Sequence, residues 1–484
     1  MYRQVLVHQD DRKYQKILWN RDPFKNPEVY ELTTITYGTS CAPYLAIRTL
    51  LQLAKDGEST FPLGADVIRH NTYVDDFFFG ADTVLDAQEK ATQVDWLLLS
   101  GGFCLKKWTS NKKEALNPID TDRQLHPPKI LDDTPTLRAL GISWEPTNDM
   151  LVFSFQQSFS LTDTPTKRSV LSFIARLFDP LGLLAPVIIS AKIFLQKLWK
   201  ISLDWDDPLP QRLAEEWKNY RDEVKSTISI SIPRWIGMKR SSRIEMHGFS
   251  DASQVALSAA MYLRVMNEQL ETSCALIMSK TKVAPLGPTS IPRLELSAAV
   301  LLVRLVSRIR KILSIQDLPI HLWIDSEIAL WWISGDPARW RDFVANRVVV
   351  IQETAPTAVW HHVPGTDNPA DIASRGCTPE RLRDCDLWWN GPAWLVESSS
   401  EWPRSIPNLD SEVDLEERSA AINIATTTPP IWDLLSRYSS RGLRFILGLT
   451  ARVMDAGRAF RRLRDQAQAS LCCVLKLMSV WLQD

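Results

Sequence analysis

The chain has 484 residues, enough for several domains that each bury a core of their own. Apolar residues make up 45% and charged residues 23%, which excludes a wholly disordered or fibrous protein. The formal net charge is -1, so any hold on nucleic acid has to come from a local basic surface rather than a global field.

Five regions separate by pattern along the chain. Residues 1–160 mix short strands and helices, and residues 161–235 read as helical, with apolar residues at three- and four-residue spacing from Val170 to Trp199. Asp179-Pro180-Leu181-Gly182 breaks that stretch. Residues 236–395 alternate strand-like and helix-like segments, the mark of a mixed α/β domain. Residues 396–430, rich in Ser, Glu, Pro and Thr, read as a linker, and residues 431–484 as a basic amphipathic helical tail. The seven cysteines are scattered with no Cys-x-x-Cys pair, which predicts reduced thiols in an intracellular protein, without deciding between cytoplasm and nucleus. The polar start has no signal-peptide core and no apolar run reaches the ~18 residues of a membrane span, so no membrane is expected among the partners.

The first chemical signal is Tyr73-Val74-Asp75-Asp76, followed by Phe77-Phe78-Phe79. Strand formers around two adjacent acids predict a buried hairpin. Buried carboxylates are costly unless a cation pairs them, so the tetrapeptide reads either as a divalent-metal site or as solvated turn acids. Upstream lies Thr33 to Ala46 with Gly38, Cys41 and Pro43; downstream lie Gly101-Gly102-Phe103-Cys104-Leu105-Lys106-Lys107-Trp108 and Leu140-Gly141-Ile142-Ser143-Trp144. In this order and spacing the motifs resemble the palm of a reverse transcriptase, in the form found in Pao/BEL long-terminal-repeat retrotransposons. The resemblance implies that Asp75 and Asp76 bind metal and that Gly38 to Pro43 open a helix under template and incoming nucleotide. It further implies that Lys106 or Lys107 lies near the triphosphate, and that Gly141 and Trp144 belong to a primer-gripping hairpin. The family places another aspartate four residues before a Met-Tyr or Met-Phe pair; here that pair is Met1-Tyr2, so the position falls ahead of residue 1, as would the fingers. DNA polymerase activity is therefore expected to be lost.

Thr166 to Ser172, Arg176 to Gly182 and Ala185-Pro186-Val187 resemble the segment of the same group that often carries a peptidase label. The residues offer no such chemistry. An aspartic protease needs an Asp-Thr-Gly or Asp-Ser-Gly turn, and neither occurs; Asp455-Ala456-Gly457 lies in a basic helical stretch. Thumb and connection helices are expected instead. Lys167, Arg168 and Arg176 read equally as phosphate contacts or as a solvated helix face.

The second chemical signal is a set of four acids. Ile244 to Ser253 reads as a strand ending at Asp251, and Ala256–Val265 and Ser273–Lys280 as the next two strands. Pro292-Arg293-Leu294-Glu295 opens a helix, His321 to Glu327 is a strand ending at Asp325, and Thr357–Val363 is a fifth strand running toward Asp371 at the start of another helix. Singly, each acid reads as a cap or an exposed turn residue. Together at one sheet edge they would repel one another unless they bound divalent cations. Two metals ~3.5–4 Å apart activate a water and stabilise the leaving oxygen of a phosphodiester.

This order of elements resembles a type I ribonuclease H domain of the retroelement form. The resemblance implies that Asp251, Glu295, Asp325 and Asp371 are catalytic ligands of two Mg²⁺ or Mn²⁺ ions. Many relatives carry a histidine in the loop before the last aspartate; Gly365-Thr366-Asp367-Asn368 has none, and His361 and His362 read as core histidines or backbone contacts. Trp331, Trp332 and Trp340, with Arg339 and Arg341, read as core or as a stacking surface. Leu387 to Leu395 also matches the Pao pattern, but no histidine follows His362, so a zinc module is not expected.

The expected architecture is multidomain α/β and α+β: a partial palm, a helical connector, and a ribonuclease H-like mixed five-stranded sheet with helices. The expected function is cleavage of RNA in an RNA–DNA hybrid, with the hybrid and other retroelement Pol pieces as partners. The alternative is a catalytically inactive relic that binds nucleic acid or a partner chain.

Overall fold

The computed structural model describes residues 1–125, 137–139, 142–154, 164–226, 229–239, 241–313, 318–403 and 416–417. Most of the expected linker, the whole basic tail with Asp455-Ala456-Gly457, and Gly141 lie outside the described residues. Among the described residues, those of Met1–Ser154 and Ser229–Ser242 form one compact unit, and those of Phe155–Ile228 and Arg243–Cys472 form another. The sequence pattern drew a boundary at 235/236. In the structure the strand at 229–233 completes the first unit's sheet, while the helices before it pack with the second unit.

In the first unit, β1 (Lys16–Trp19) and β2 (Glu28–Glu31) form an exposed antiparallel hairpin. Three helices follow, α1 (Ala42–Asp56), α2 (Pro62–His70) and, after the short strands β3 (Thr72–Tyr73) and β4 (Asp76–Phe77), α3 (Val84–Ser100). Helix α1 buries Ala42, Ala46, Leu50 and Ala54, one residue per turn, against a core that includes Ile68, Val94 and Leu98. Arg123 is buried against Asp95 and also donates to the Leu105 carbonyl at 3.0 Å, fixing the loop after α3. A second sheet runs in sequential antiparallel order, β5 (Leu137–Ala139), β6 (Ile142–Glu145), β7 (Met150–Ser154) and β8 (Ser229–Pro233).

The second unit opens with α4 (Lys167–Arg176), α5 (Ala185–Trp199) and α6 (Gln211–Ser226). A reciprocal cap starts α4: the Ser169 amide donates to the Thr166 hydroxyl at 3.2 Å, and the Thr166 amide to the Ser169 hydroxyl at 2.8 Å. The Asp-Pro-Leu-Gly break has two roles. The Asp179 carboxylate accepts from the Leu183 and Leu184 amides at 2.9 and 2.7 Å, at the head of α5. Gly182, at φ +76°, lies so close to Ser279 that a Cβ would collide with its carbonyl, and the Ser279 amide donates to Leu181 at 2.8 Å. The break thus covers part of a sheet edge that would otherwise stand open.

That sheet has the order β11 (Thr272–Val283), β10 (Ala256–Met266), β9 (Arg243–Ala252), β12 (Ile320–Ile324), β13 (Val359–His362). The first three are an antiparallel meander, and β12 and β13 run parallel to β9. Helix α7 (Ile291–Leu313) packs on β9 and β10, with α8 (Glu327–Ser334) and α9 (Asp342–Thr354) beside it. Helices α10 (Pro369–Arg375), α11 (Pro379–Arg383) and α12 (Asp386–Asn390) complete the unit, α10 packing against α5 and β10. The tryptophans here are largely core: the buried Trp388 indole donates to Leu183 at 2.9 Å while its carbonyl accepts from the Tyr262 hydroxyl at 2.7 Å. No described helix is long and apolar enough to cross a membrane.

Candidate active site

Parallel pairing of β9 and β12 sets Ser250 opposite Ile324, so the next residue on each strand is an acid, Asp251 and Asp325. Glu295 comes from the early turns of α7. Its neighbours Leu294 and Ala298 pack on Ala252 and Leu257, which turns Glu295 toward the ends of the two strands. Ligand oxygens of Asp251, Glu295 and Asp325 all lie within 4.8 Å of one another. Asp251 and Glu295 are only 4% and 5% exposed, a setting in which three negative charges are costly.

The electrostatics follow from that crowding. Burial first, then the charges of Asp251 and Asp325, push Glu295 up to about 10. Burial and then Asp325 raise Asp251, and burial raises Asp325. The Glu295 Oε2 atom is buried with no hydrogen-bond partner among the described residues. An oxygen-only donor set with an unanswered buried carboxylate oxygen suits a hard divalent cation.

Asp371 borders the triad, and its charge adds to burial in raising all three of those carboxyls. It lies at the start of α10 as expected, but outside the group of three, and its Oδ1 accepts from the Arg375 guanidinium at 2.6 Å. Asn368 reads in the sequence as a loop residue, and in the structure it is a tie between elements. Its amide donates to the Ser250 carbonyl at 3.0 Å, its Oδ1 caps α10 by accepting from the Ala370 amide at 3.1 Å, and it is 1% exposed. It therefore ties the Asp371 helix to the strand that carries Asp251. The readable signal was Asn before Pro at a helix start.

The two histidines take the two roles their positions allowed. His362 Nε2 lies 3.2 Å from the Asp325 carbonyl, while His361 stacks on Trp323 at 4.4 Å between centroids. Trp332 and Trp340 are buried, with the Trp340 indole donating to Trp332 at 3.1 Å. Arg339 lies 5.1 Å from the Trp331 ring and pairs with Glu417 at 2.7 Å. Lys167 is buried and donates to the Leu203 carbonyl at 2.6 Å, and Arg168 pairs with Asp206, so α4 opens on internal contacts.

In the first unit, Tyr73 pairs with Asp76 across a tight turn of Val74 and Asp75. Both acids are exposed, which corrects the expected buried hairpin: each strand is two residues long, and among the described residues no further strand flanks the pair. Val74 sits at φ 56°, a costly conformation for a β-branched residue. Asp76 is raised by partial desolvation and then by Asp75, with Lys107 opposing, so Lys107 does lie near the acids. Lys106 is exposed, and no described third acid or histidine joins Asp75 and Asp76. Gly38, at φ +85°, precedes α1, which opens at Ala42. Trp144 lies on β6, where its indole donates to Asp149 at 2.9 Å and Asp149 in turn binds Arg234.

The five-stranded order, three antiparallel strands followed by two parallel ones, with acids at the ends of β9 and β12, defines a ribonuclease H-like fold. Residues 166–326 match the family model described as Pao retrotransposon-like RNaseH-like domain. Residues 166–326 thus form a Pao retrotransposon-like, ribonuclease H-like domain, and the matched span includes the helices α4 to α6 as well as the first four strands of the sheet. No curated protein matches the chain. Among solved structures, it is similar to a foamy viral protease–reverse transcriptase in complex with RNA/DNA hybrid, at 14% identity and TM-score 0.44 over 75% of this chain. It spans 43% of that protein's length. It is also similar to LC11-RNase H1 in complex with RNA/DNA hybrid, at 17% identity, TM-score 0.18, over 27% of this chain and 91% of that one. An N-terminal RNase H domain from Mycobacterium tuberculosis, fused to maltose-binding protein, gives 13%, 0.20, 28% and 94% respectively. The fold rests on strand order and register rather than on these low-identity likenesses.

Proposed function

We propose that this chain is a metal-dependent endonuclease that cuts the RNA strand of an RNA–DNA hybrid. The observation that carries the reading is the triad of Asp251, Glu295 and Asp325 at the ends of parallel strands, with a buried Glu295 oxygen left unpartnered. These three would hold Mg²⁺ or Mn²⁺, with Asp371 as a fourth ligand once Arg375 lets it go. Such ions supply an activated water and charge stabilisation for the leaving oxygen. The chain's own part is positioning: Asn368 fixes the α10 helix, and α7 presents Glu295. The hybrid would be held by its shape and its backbone, 2′-hydroxyls included, rather than by base sequence. Asp75, Asp76 and Lys107 are read as part of a polymerase nucleotide site.

A second reading, a nucleic-acid binder without turnover, draws on one observation, the Arg375 hold on Asp371. The full chain with a labelled hybrid and Mg²⁺ or Mn²⁺ separates the two. Cleavage that disappears in Asp325→Asn while binding persists supports the nuclease, and undiminished cleavage by that variant refutes the assignment. Hybrid binding without cleavage by the unaltered chain favours the second reading.

A further inference from the structure

On the side of α7 away from the sheet, and along β11, stand cations most of which form no salt bridge with a described carboxylate. Helix α7 buries the residues that face the sheet and leaves Arg293, Ser297, Val300, Arg304 and Arg308 on an outer stripe at three- and four-residue spacing. Lys280 and Lys282 are exposed on β11, two residues apart and so on one face. From α9, Arg347 reaches over: it donates to Ser297 Oγ at 3.2 Å and to the Phe343 carbonyl at 2.9 Å, and lies 3.4 Å from the Phe343 ring.

Among the described residues, none of Lys280, Lys282, Arg304, Arg308 and Arg347 forms a salt bridge, whereas Arg293 is paired with Glu416 at 2.6 Å. Arg308 Nε is buried and unpartnered. Strands β10 and β11 contain no acid, and the single acid of α7 is Glu295, already committed to the triad. The cations also disfavour one another. Burial and then Arg293 and Arg304 lower Arg347, and burial and then Arg308 and Lys282 lower Lys280, with the charge of Asp179 opposing at Lys280. Arg310 and Lys311 are accounted for by the helix C-terminus, where positive charge is favoured. That account does not reach Arg304, Lys280 or Lys282.

We propose that Lys280, Lys282, Arg304, Arg308 and Arg347 form a second nucleic-acid contact, which grips the phosphate backbone away from the carboxylates. Arg304 is nine residues beyond Glu295 on α7, about 14 Å along the axis. At about 3.4 Å per phosphate along one strand, this is about four phosphates from the reacting centre. The inference rests on the nucleic-acid reading above but not on cleavage.

The test uses the full chain carrying Asp325→Asn, in EDTA, and titrates salt against a labelled hybrid of about 30 base pairs. Adding Lys280→Gln, Lys282→Gln and Arg304→Gln should lower the salt slope by about 2–3, because each lost phosphate contact removes about 0.7–0.9. Affinity at 0.1 M salt should fall at least about tenfold, and Arg304→Lys in place of Gln should restore part of the slope. All three positions are exposed, so folding should persist. An unchanged slope overturns the proposal, as does an equal loss when three exposed cations of α6 and α11, Arg212, Lys218 and Arg383, are changed to Gln instead. An unaltered chain that fails to cleave but shows this slope difference would count against the nuclease and for the surface.

Discussion

Glu295→Gln is the sharpest perturbation of the triad, because burial beside two acids fixes the direction in which its carboxyl titrates. The ordinary value of this carboxyl is 4.5, and burial with two neighbouring acids pushes it up to about 10. Its folded form therefore binds a proton more tightly than its unfolded form does. Stability from this source is complete below about pH 4.5 and is lost as pH rises toward about 10. In the absence of a cation the penalty at pH 7 is about 3 kcal/mol, at 1.36 kcal/mol per pH unit above 4.5. Gln removes the titration and leaves a buried amide that costs about 1 kcal/mol if unpaired. In EDTA at pH 8, where the penalty grows to about 5 kcal/mol, thermal unfolding of the full chain should show the variant about 4 kcal/mol more stable than the unaltered protein, or about 8–16 °C higher in Tm. At pH 5 the difference should nearly vanish. Mn²⁺ should raise the Tm of the unaltered protein and have much less effect on the variant. A difference between the two proteins that is the same at pH 5 and pH 8 would refute the reasoning.

His247, with no exposed surface, gives the opposite pH sense: burial holds it down to about 4, so stability is lost as pH falls from about 6.5 toward 4. His247→Phe should keep about 2 kcal/mol at pH 5 that the unaltered chain loses relative to pH 7, read from urea midpoints. Asn368→Ala removes both the Ser250 bond and the α10 cap, and should cost about 1–2 kcal/mol of stability while cutting hybrid cleavage more than hybrid binding. Equal losses of cleavage and binding would show that Asn368 does not position the acids.

Much of the ribonuclease H-like half was legible because its signals are local. Strand-like runs at 244–253 and 256–265, a strand ending at Asp325, and apolar spacing from Ala298 to Ile309 predict separate elements, and those elements formed with bounds shifted by a few residues. Less legible were features that depend on distant partners. The buried-hairpin reading of Tyr73 to Phe79 failed because burial needs flanking strands, and a seven-residue pattern carries no information about them. The sequence also grouped four acids, where the structure gathers three and leaves Asp371 with Arg375. An i, i+4 Asp–Arg pair on α10 was visible in the sequence, but whether it outweighs attraction to a cation is settled by charges on other elements. Strand β8 fell on the unexpected side of a boundary for the same reason, since its pairing with β7 joins residues far apart in sequence.

The separation of Asp251 from Asp325 is a register property, and residues with no part in the chemistry hold that register. His247 pairs with His321 across β9 and β12, their rings stacked 5.0 Å apart, and His321 Nδ1 meets His361 Nε2 on β13 at 3.0 Å. The Trp323 indole reaches back to His247 Nδ1 at 3.3 Å, so all three strands are cross-linked one turn of side chains below the acids. A slip of β12 by one residue would break each of these contacts and send Asp325 to the opposite face of the sheet. Helix height is set independently, at Gly248, where a Cβ would come within 2.8 Å of Leu302 and Leu322. A side chain here would have to displace the ends of Met261, Leu302 and Leu322, and α7 carries Glu295 two turns before Leu302. A histidine–tryptophan tier across three strands and the close packing at Gly248 thus act on the three carboxylates from different directions. This explains how a sheet can keep mutually repelling acids within 4.8 Å without any hydrogen bond to Glu295 Oε2.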